Sequence, residues 1–153
     1  MRTRPIDFVE GKIVEITSEG EITEIELAIE QSQPYAGVKT HLTTALSLMS
    51  SRTNPDYRNS IKESISAVES LAKRLTGDEG ATLGDALKKL EKAKQLHPAL
   101  KDAFSKLYGY TSDAGGIRHA LTNEADNTQA EARFMLIACS AFINFCIVTV
   151  VPH

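Results

Sequence analysis

The residues best equipped for chemistry gather in one stretch of this 153-residue chain, Tyr108-Gly109-Tyr110-Thr111-Ser112-Asp113-Ala114-Gly115-Gly116-Ile117-Arg118-His119. It combines a Gly-rich loop, several hydroxyls, a carboxylate and an adjacent Arg–His pair. Arginine holds phosphate through two parallel hydrogen bonds, and histidine exchanges a proton near neutral pH. These are the minimal parts for metal-free RNA cleavage, with the 2′-hydroxyl as nucleophile. His119 would serve as acid or base, and Arg118 would steady the charge on the phosphorane. Tyr108 and Asp113 would orient that pair. The plainer alternative is a capped loop in which Arg118 pairs with Asp113 or Glu124 and His119 faces water.

A second constellation lies upstream, in Arg58, Asn59, Lys62 and Glu63. Set against an apolar stripe at 0°, helical spacing puts Arg58 at about 60° and Lys62 at about 100°. Arg58 is therefore placed to add positive charge to a groove between helices. Asn59 and Glu63 fall near 160° and 200°, opposite the stripe, so they call for a different partner, such as a second subunit. The plain reading of Lys62 is a solvated polar face.

Other chemistries find no foothold. The chain has no Walker A loop, no GxGxxG after a strand, no HExxH and no GxSxG. Its four histidines, His41, His97, His119 and His153, show no metal-ligand spacing with a carboxylate or thiol. No metal or cofactor is expected. His97 precedes Pro98 and reads as a helix-entry residue, and His41 as a surface or packing residue of a helix.

The elements that must position these groups are mostly helical. Two short β-prone runs, residues 6–9 and 13–16, flank Glu10-Gly11-Lys12 and suggest a small N-terminal hairpin. Ser18 and Glu21 have capping-box spacing, opening a first helix to about Gln31. Val38, Leu42, Ala45 and Met49 mark a second helix. Asn54 as cap and Pro55 as first helical residue start a third, with Ile61, Ile65, Val68, Ala72 and Leu75 inside and Gly77 at its end. Thr82 opens a fourth and Pro98 a fifth, to about Tyr108. A glycine-bearing loop over residues 109–116 then leads to a helical turn at 117–121, and Thr128 with Glu131 starts the last helix. The expectation is an all-α fold of about six helices, with residues 1–17 as a hairpin extension and 18–153 as the helical domain.

That last helix carries no charged residue from position 134 to 151, the lower limit of length for a membrane span. Ser140, Asn144 and Thr149 interrupt it, and no Lys or Arg follows as an anchor. A buried core helix or a dimer helix is the better reading, with no membrane partner. Paired through this helix and the third, two subunits would bring Arg118 of one chain beside His119 of the other. Cys139 and Cys146 are seven residues apart, about 10 Å along a helix and too far to bridge. Buried thiols in a reducing compartment follow, with the cytoplasm as the default location.

Composition agrees with an ordinary soluble domain. Only 14 of 153 residues are Gly or Pro, and 6% are aromatic, which weighs against a turn-rich all-β sandwich. A net charge of −3 excludes a generic, highly basic nucleic-acid coat. The charge is uneven: residues 51–108 hold 11 basic and 8 acidic side chains, against 4 and 8 in residues 1–50. A polyanion-facing surface would draw on that middle third.

Three runs carry a family resemblance: Asn54-Pro55-Asp56-Tyr57-Arg58-Asn59-Ser60-Ile61-Lys62-Glu63-Ser64-Ile65-Ser66-Ala67-Val68-Glu69, residues 107–120, and Ala132-Arg133-Phe134-Met135-Leu136 with Cys139-Ser140-Ala141-Phe142. They resemble the C-terminal helical domain of bacterial abortive-infection proteins of the AbiJ type, within the HEPN superfamily (higher eukaryotes and prokaryotes nucleotide-binding). The resemblance implies a HEPN-like bundle, commonly a homodimer, used in phage defence or toxin systems and often as an endoribonuclease. It also implies RNA or nucleotide as ligand, and a further N-terminal domain in a longer parent protein. HEPN ribonucleases typically separate their Arg and His by four to six residues. No Arg here has a His at that distance; Arg118 and His119 are adjacent.

Overall fold

A computed structural model describes residues 6–9, 12–15, 19–80, 82–93, 95–112 and 129–149. Among these the chain is a helical bundle of six helices: α1 (Glu19–Gln31), α2 (Ala36–Ser50), α3 (Tyr57–Thr76), α4 (Leu83–Lys92), α5 (Pro98–Ser112) and α6 (Gln129–Thr149). Ahead of the bundle, β1 (Ile6–Val9) and β2 (Lys12–Glu15) run antiparallel, pairing Ile6 with Glu15 and Val9 with Lys12. The expected turn residues Glu10 and Gly11 lie outside the described residues, as do Ser18 and Thr128, the proposed caps of the first and last helices.

Helices α2 and α3 form an antiparallel hairpin whose register small residues set. The Ser60 hydroxyl donates to the Ala45 carbonyl at 2.7 Å, and the Asp56 amide to the Leu48 carbonyl at 2.9 Å. Ser60, Ser64 and Ala67 are buried, so the backbones approach closely while both hydroxyls find helix carbonyls. Asp56, not Asn54, caps α3: its carboxylate accepts from the Asn59 amide at 3.0 Å and from Asn59 Nδ2 at 2.7 Å. Both residues suit the role by type. The Asp56 amide, anchored to α2, fixes which one stands at the helix start.

The remaining turns follow their punctuation. Gly77 ends α3 at φ 72°, a left-handed conformation that a side chain would strain. The Thr82 hydroxyl caps α4, and Asp85 reaches back to the Thr82 amide. At the start of α5, His97 Nδ1 accepts from the Ala99 amide at 3.1 Å, the helix-entry role its place before Pro98 suggested.

The core sits around α6, which packs on α1, α2 and α3. Its inner face buries Ala132, Met135, Leu136, Cys139, Ile143 and Cys146. Its outer face is open: Phe134 is 59%, Phe145 38% and Val148 57% exposed. By length and composition α6 also passes as a membrane span. Three helices packed on one side give it the same apolarity a core needs.

Candidate functional site

Of the five site residues marked by the sequence, the described structure contains two. Asp113, Arg118 and His119 lie outside the described residues. Tyr108 is helical as expected, but α5 continues past it through Ser112, so residues 109–112, expected in the glycine-bearing loop, are helical. The side chain of Tyr108 is half-buried and packs against the core. Leu107 packs there too, and this burial holds the last turns of α5 in place despite a glycine. Arg58 occupies the first turn of α3 and is exposed.

The structure brings together a different pair. His41 Nδ1 stands 2.5 Å from Glu63 Oε2, joining α2 to α3 across their hairpin. About a third of each side chain is open to water, 34% and 30%. Glu63 thus has the different partner its place on α3 calls for, but from α2 of the same chain rather than from a second subunit. The face of α3 opposite its apolar stripe is flanked by α2, which supplies His41. Asn59 likewise finds Asp56 one turn earlier in its own helix. Neither Asn59 nor Glu63 therefore calls for a second subunit.

The pair follows from the register of the hairpin. Ser60 meets Ala45, and one turn further along each helix Glu63 meets His41. Further along the hairpin Gly37 faces Ser70, where a Cβ would stand 3.5 Å from the serine Oγ. Thr40 and Thr44 flank His41, and each donates its hydroxyl to its own helix carbonyl four residues back. The surface over the pair is polar and small. With Nδ1 committed to a carboxylate, the imidazole presents Nε2 as its remaining nitrogen. The short connection between α2 and α3 makes the two helices neighbours in the sequence reading, but it leaves open the register that pairs His41 with Glu63.

A cleft of about 300 Å³ opens where α5 ends and α6 begins, lined by Tyr110, Ala130, Glu131, Phe134 and Met135. Its lining is largely apolar. Loss of water around the Tyr110 hydroxyl raises its pKa above the usual phenol value, and the negative charge of Glu131 adds to that effect. Tyr110 therefore stays a neutral phenol there.

Cys139 and Cys146 are free and buried, and burial pushes both thiols up, Cys146 to about 12. Neither is a thiolate nucleophile at neutral pH. Between α1 and α6, Asn144 Nδ2 donates to the Glu24 carbonyl at 3.0 Å and to its carboxylate at 2.9 Å. Among the described residues, no three of His, Cys, Asp or Glu converge as metal ligands. No family model, no curated protein and no solved structure matches the chain.

Proposed function

We propose that this chain is a HEPN-like helical module of a bacterial phage-defence or toxin-type protein, binding the phosphates of RNA or a nucleotide and acting as a cytoplasmic homodimer. The observation that carries the self-association is the outer face of α6. Phe134, Ala141, Phe145 and Val148 are exposed there at steps of 7, 4 and 3, the spacing of a helix-pairing seam. At 100° per residue all four fall within a sector of about 60°. An identical row on a second copy is its simplest complement, in an isologous two-fold interface.

The phosphate-binding part of the reading rests on the sequence resemblance, on Arg118 and His119, and on the basic excess of residues 51–108. Arg58, exposed at the start of α3, is open to a polyanion. Sedimentation at low micromolar concentration, run beside filter binding of single-stranded RNA over a salt series, tests both parts. A dimer and an affinity that falls steeply with salt are expected. A monomer would remove the first claim, and salt-insensitive or absent binding the second.

A second reading, a metal-independent endoribonuclease, gains from one observation. A histidine held by a carboxylate and about a third open to solvent is an arrangement suited to proton transfer. That pair is His41–Glu63, at a place the Arg118–His119 dipeptide does not account for.

A further inference from the structure

We propose that the cleft between the end of α5 and the start of α6 binds a small organic ammonium ion whose apolar body is about the size of one ring. The inference stands apart from the phosphate-binding reading, because its ligand carries the opposite charge.

Three observations set the ligand, and the first is size. At about 300 Å³ the cleft is at the small end of ligand sites. A dry cavity of about 150 Å³ holds benzene, so this one has room for a ring and a short chain. The second is ring surface. Phe142 stacks on Phe104 with centroids 4.0 Å apart and lies tilted against Phe145, so those three rings turn toward one another. Tyr110 and Phe134 line the cleft without a ring partner among the described residues, and they are 45% and 59% exposed. The faces of aromatic rings are electron-rich and attract a cation placed over them. Met135, itself buried, adds a polarisable thioether to the same lining.

The third observation is charge. Glu131 is the one charged residue of the described lining. Loss of water, followed by that negative charge, keeps the Tyr110 hydroxyl protonated, so the field of Glu131 reaches into the cleft. Glu131 also interacts elsewhere, and the inference uses its charge rather than a vacant lone pair. The N-terminus of α6 contributes about half a positive charge, less than the carboxylate beside it carries. A carboxylate or phosphate ligand would meet a like charge here, whereas an ammonium ion meets a carboxylate, two rings and a phenol oxygen able to accept its hydrogen bond. The apolar body of the ligand would then lie against Phe134 and Met135.

The test uses the full chain with ¹³C-labelled methionine methyls and three ligands of nearly one shape: phenethylammonium, phenethyl alcohol and phenylacetate. The ammonium ion is expected to shift the Met135 methyl resonance saturably. It should bind about tenfold more tightly than the alcohol, with phenylacetate the weakest of the three. Added salt should narrow the preference for the cation, a readout that needs no variant. Glu131→Gln should bring the ammonium ion down to the affinity of the alcohol and leave the alcohol unchanged. Phe134→Ala should weaken both. Because Phe134 also begins the α6 row assigned to self-association, Phe145→Asp separates the two roles: it lies outside the cleft lining and should bind the ammonium ion like the wild type. Absence of a saturable Met135 shift overturns the inference, as does an affinity for the alcohol or phenylacetate equal to that for the ammonium ion. Neither result bears on phosphate binding or on the dimer. Loss of binding in a folded Phe145→Asp would overturn it too, by moving the ligand to the contact between subunits.

Discussion

Asn144 on α6 donates to the backbone carbonyl of Glu24 on α1 at 3.0 Å and to the carboxylate of the same residue at 2.9 Å. The two contacts join segments 120 residues apart in the chain, on a side chain that is only 6% exposed. Asn144→Ala would remove both contacts to Glu24 at a position that is almost fully buried, a loss of about 1–3 kcal/mol. Asn144→Asp should be worse, because two carboxylates would then face each other. Urea denaturation of both variants checks the order. Equal losses would mean that the Glu24 carboxylate does not share in the contact.

The two faces of α6 should respond oppositely to charge. Ile143 is fully buried, so Ile143→Asp places an unpaired charge in the core and should remove several kcal/mol of stability, on the order of 3–5. Phe145→Asp, at a position 38% exposed, should leave the fold intact and abolish the proposed dimer. Circular dichroism with sedimentation velocity separates the two outcomes. A Phe145→Asp protein that remained dimeric would move the interface away from this face.

Thr82→Ala should loosen the start of α4 by about 1 kcal/mol, the usual worth of a lost N-cap. The hydrogen bond from the Thr82 hydroxyl to Asp85, followed by that from the Thr82 amide, holds the Asp85 carboxyl below its ordinary value of 3.8. A depressed carboxyl stabilises the fold above the unfolded pKa and loses that contribution as pH falls through the folded one. The gap in urea midpoint between wild type and Thr82→Ala is therefore expected to be widest above pH 4 and to narrow below it. A gap constant with pH would show that Asp85 takes no part in the cap.

Cys139 and Cys146 should resist modification while the protein is folded. Burial raises both thiols well above their ordinary range, Cys146 to about 12, so almost no thiolate exists at pH 8. Ellman's reagent should label neither residue in native buffer and both in 6 M guanidinium (a condition chosen to unfold the chain). Rapid labelling of one thiol in native buffer would indicate that α6 opens locally on that timescale.

Much of the bundle could be read from local chemistry. Gly77 supplies the left-handed residue that ends α3, Thr82 and Asp85 their own capping box, and His97 with Pro98 the entry to α5. Each of these contacts is made within a few residues of sequence, where type and spacing are enough. The apolar stripe of α3 was legible for the same reason: Ile61, Ile65, Val68 and Ala72 are all buried. The candidate site was not. Helical phase placed Glu63 opposite that stripe but held no information about what lay on the far side. Only the register of α2 against α3, set by Ser60 at Ala45 and Asp56 at Leu48, brought His41 to it. The same register anchored Asp56 and made it the cap in place of Asn54. For α6, sequence determined that the helix is apolar all round. Tertiary packing decided that Ile143 lies on the buried face of a helix packed on α1, α2 and α3 and that Phe145 faces out, because burial depends on which elements arrive at a face and a charge-free run with few polar residues carries little signal to tell its faces apart.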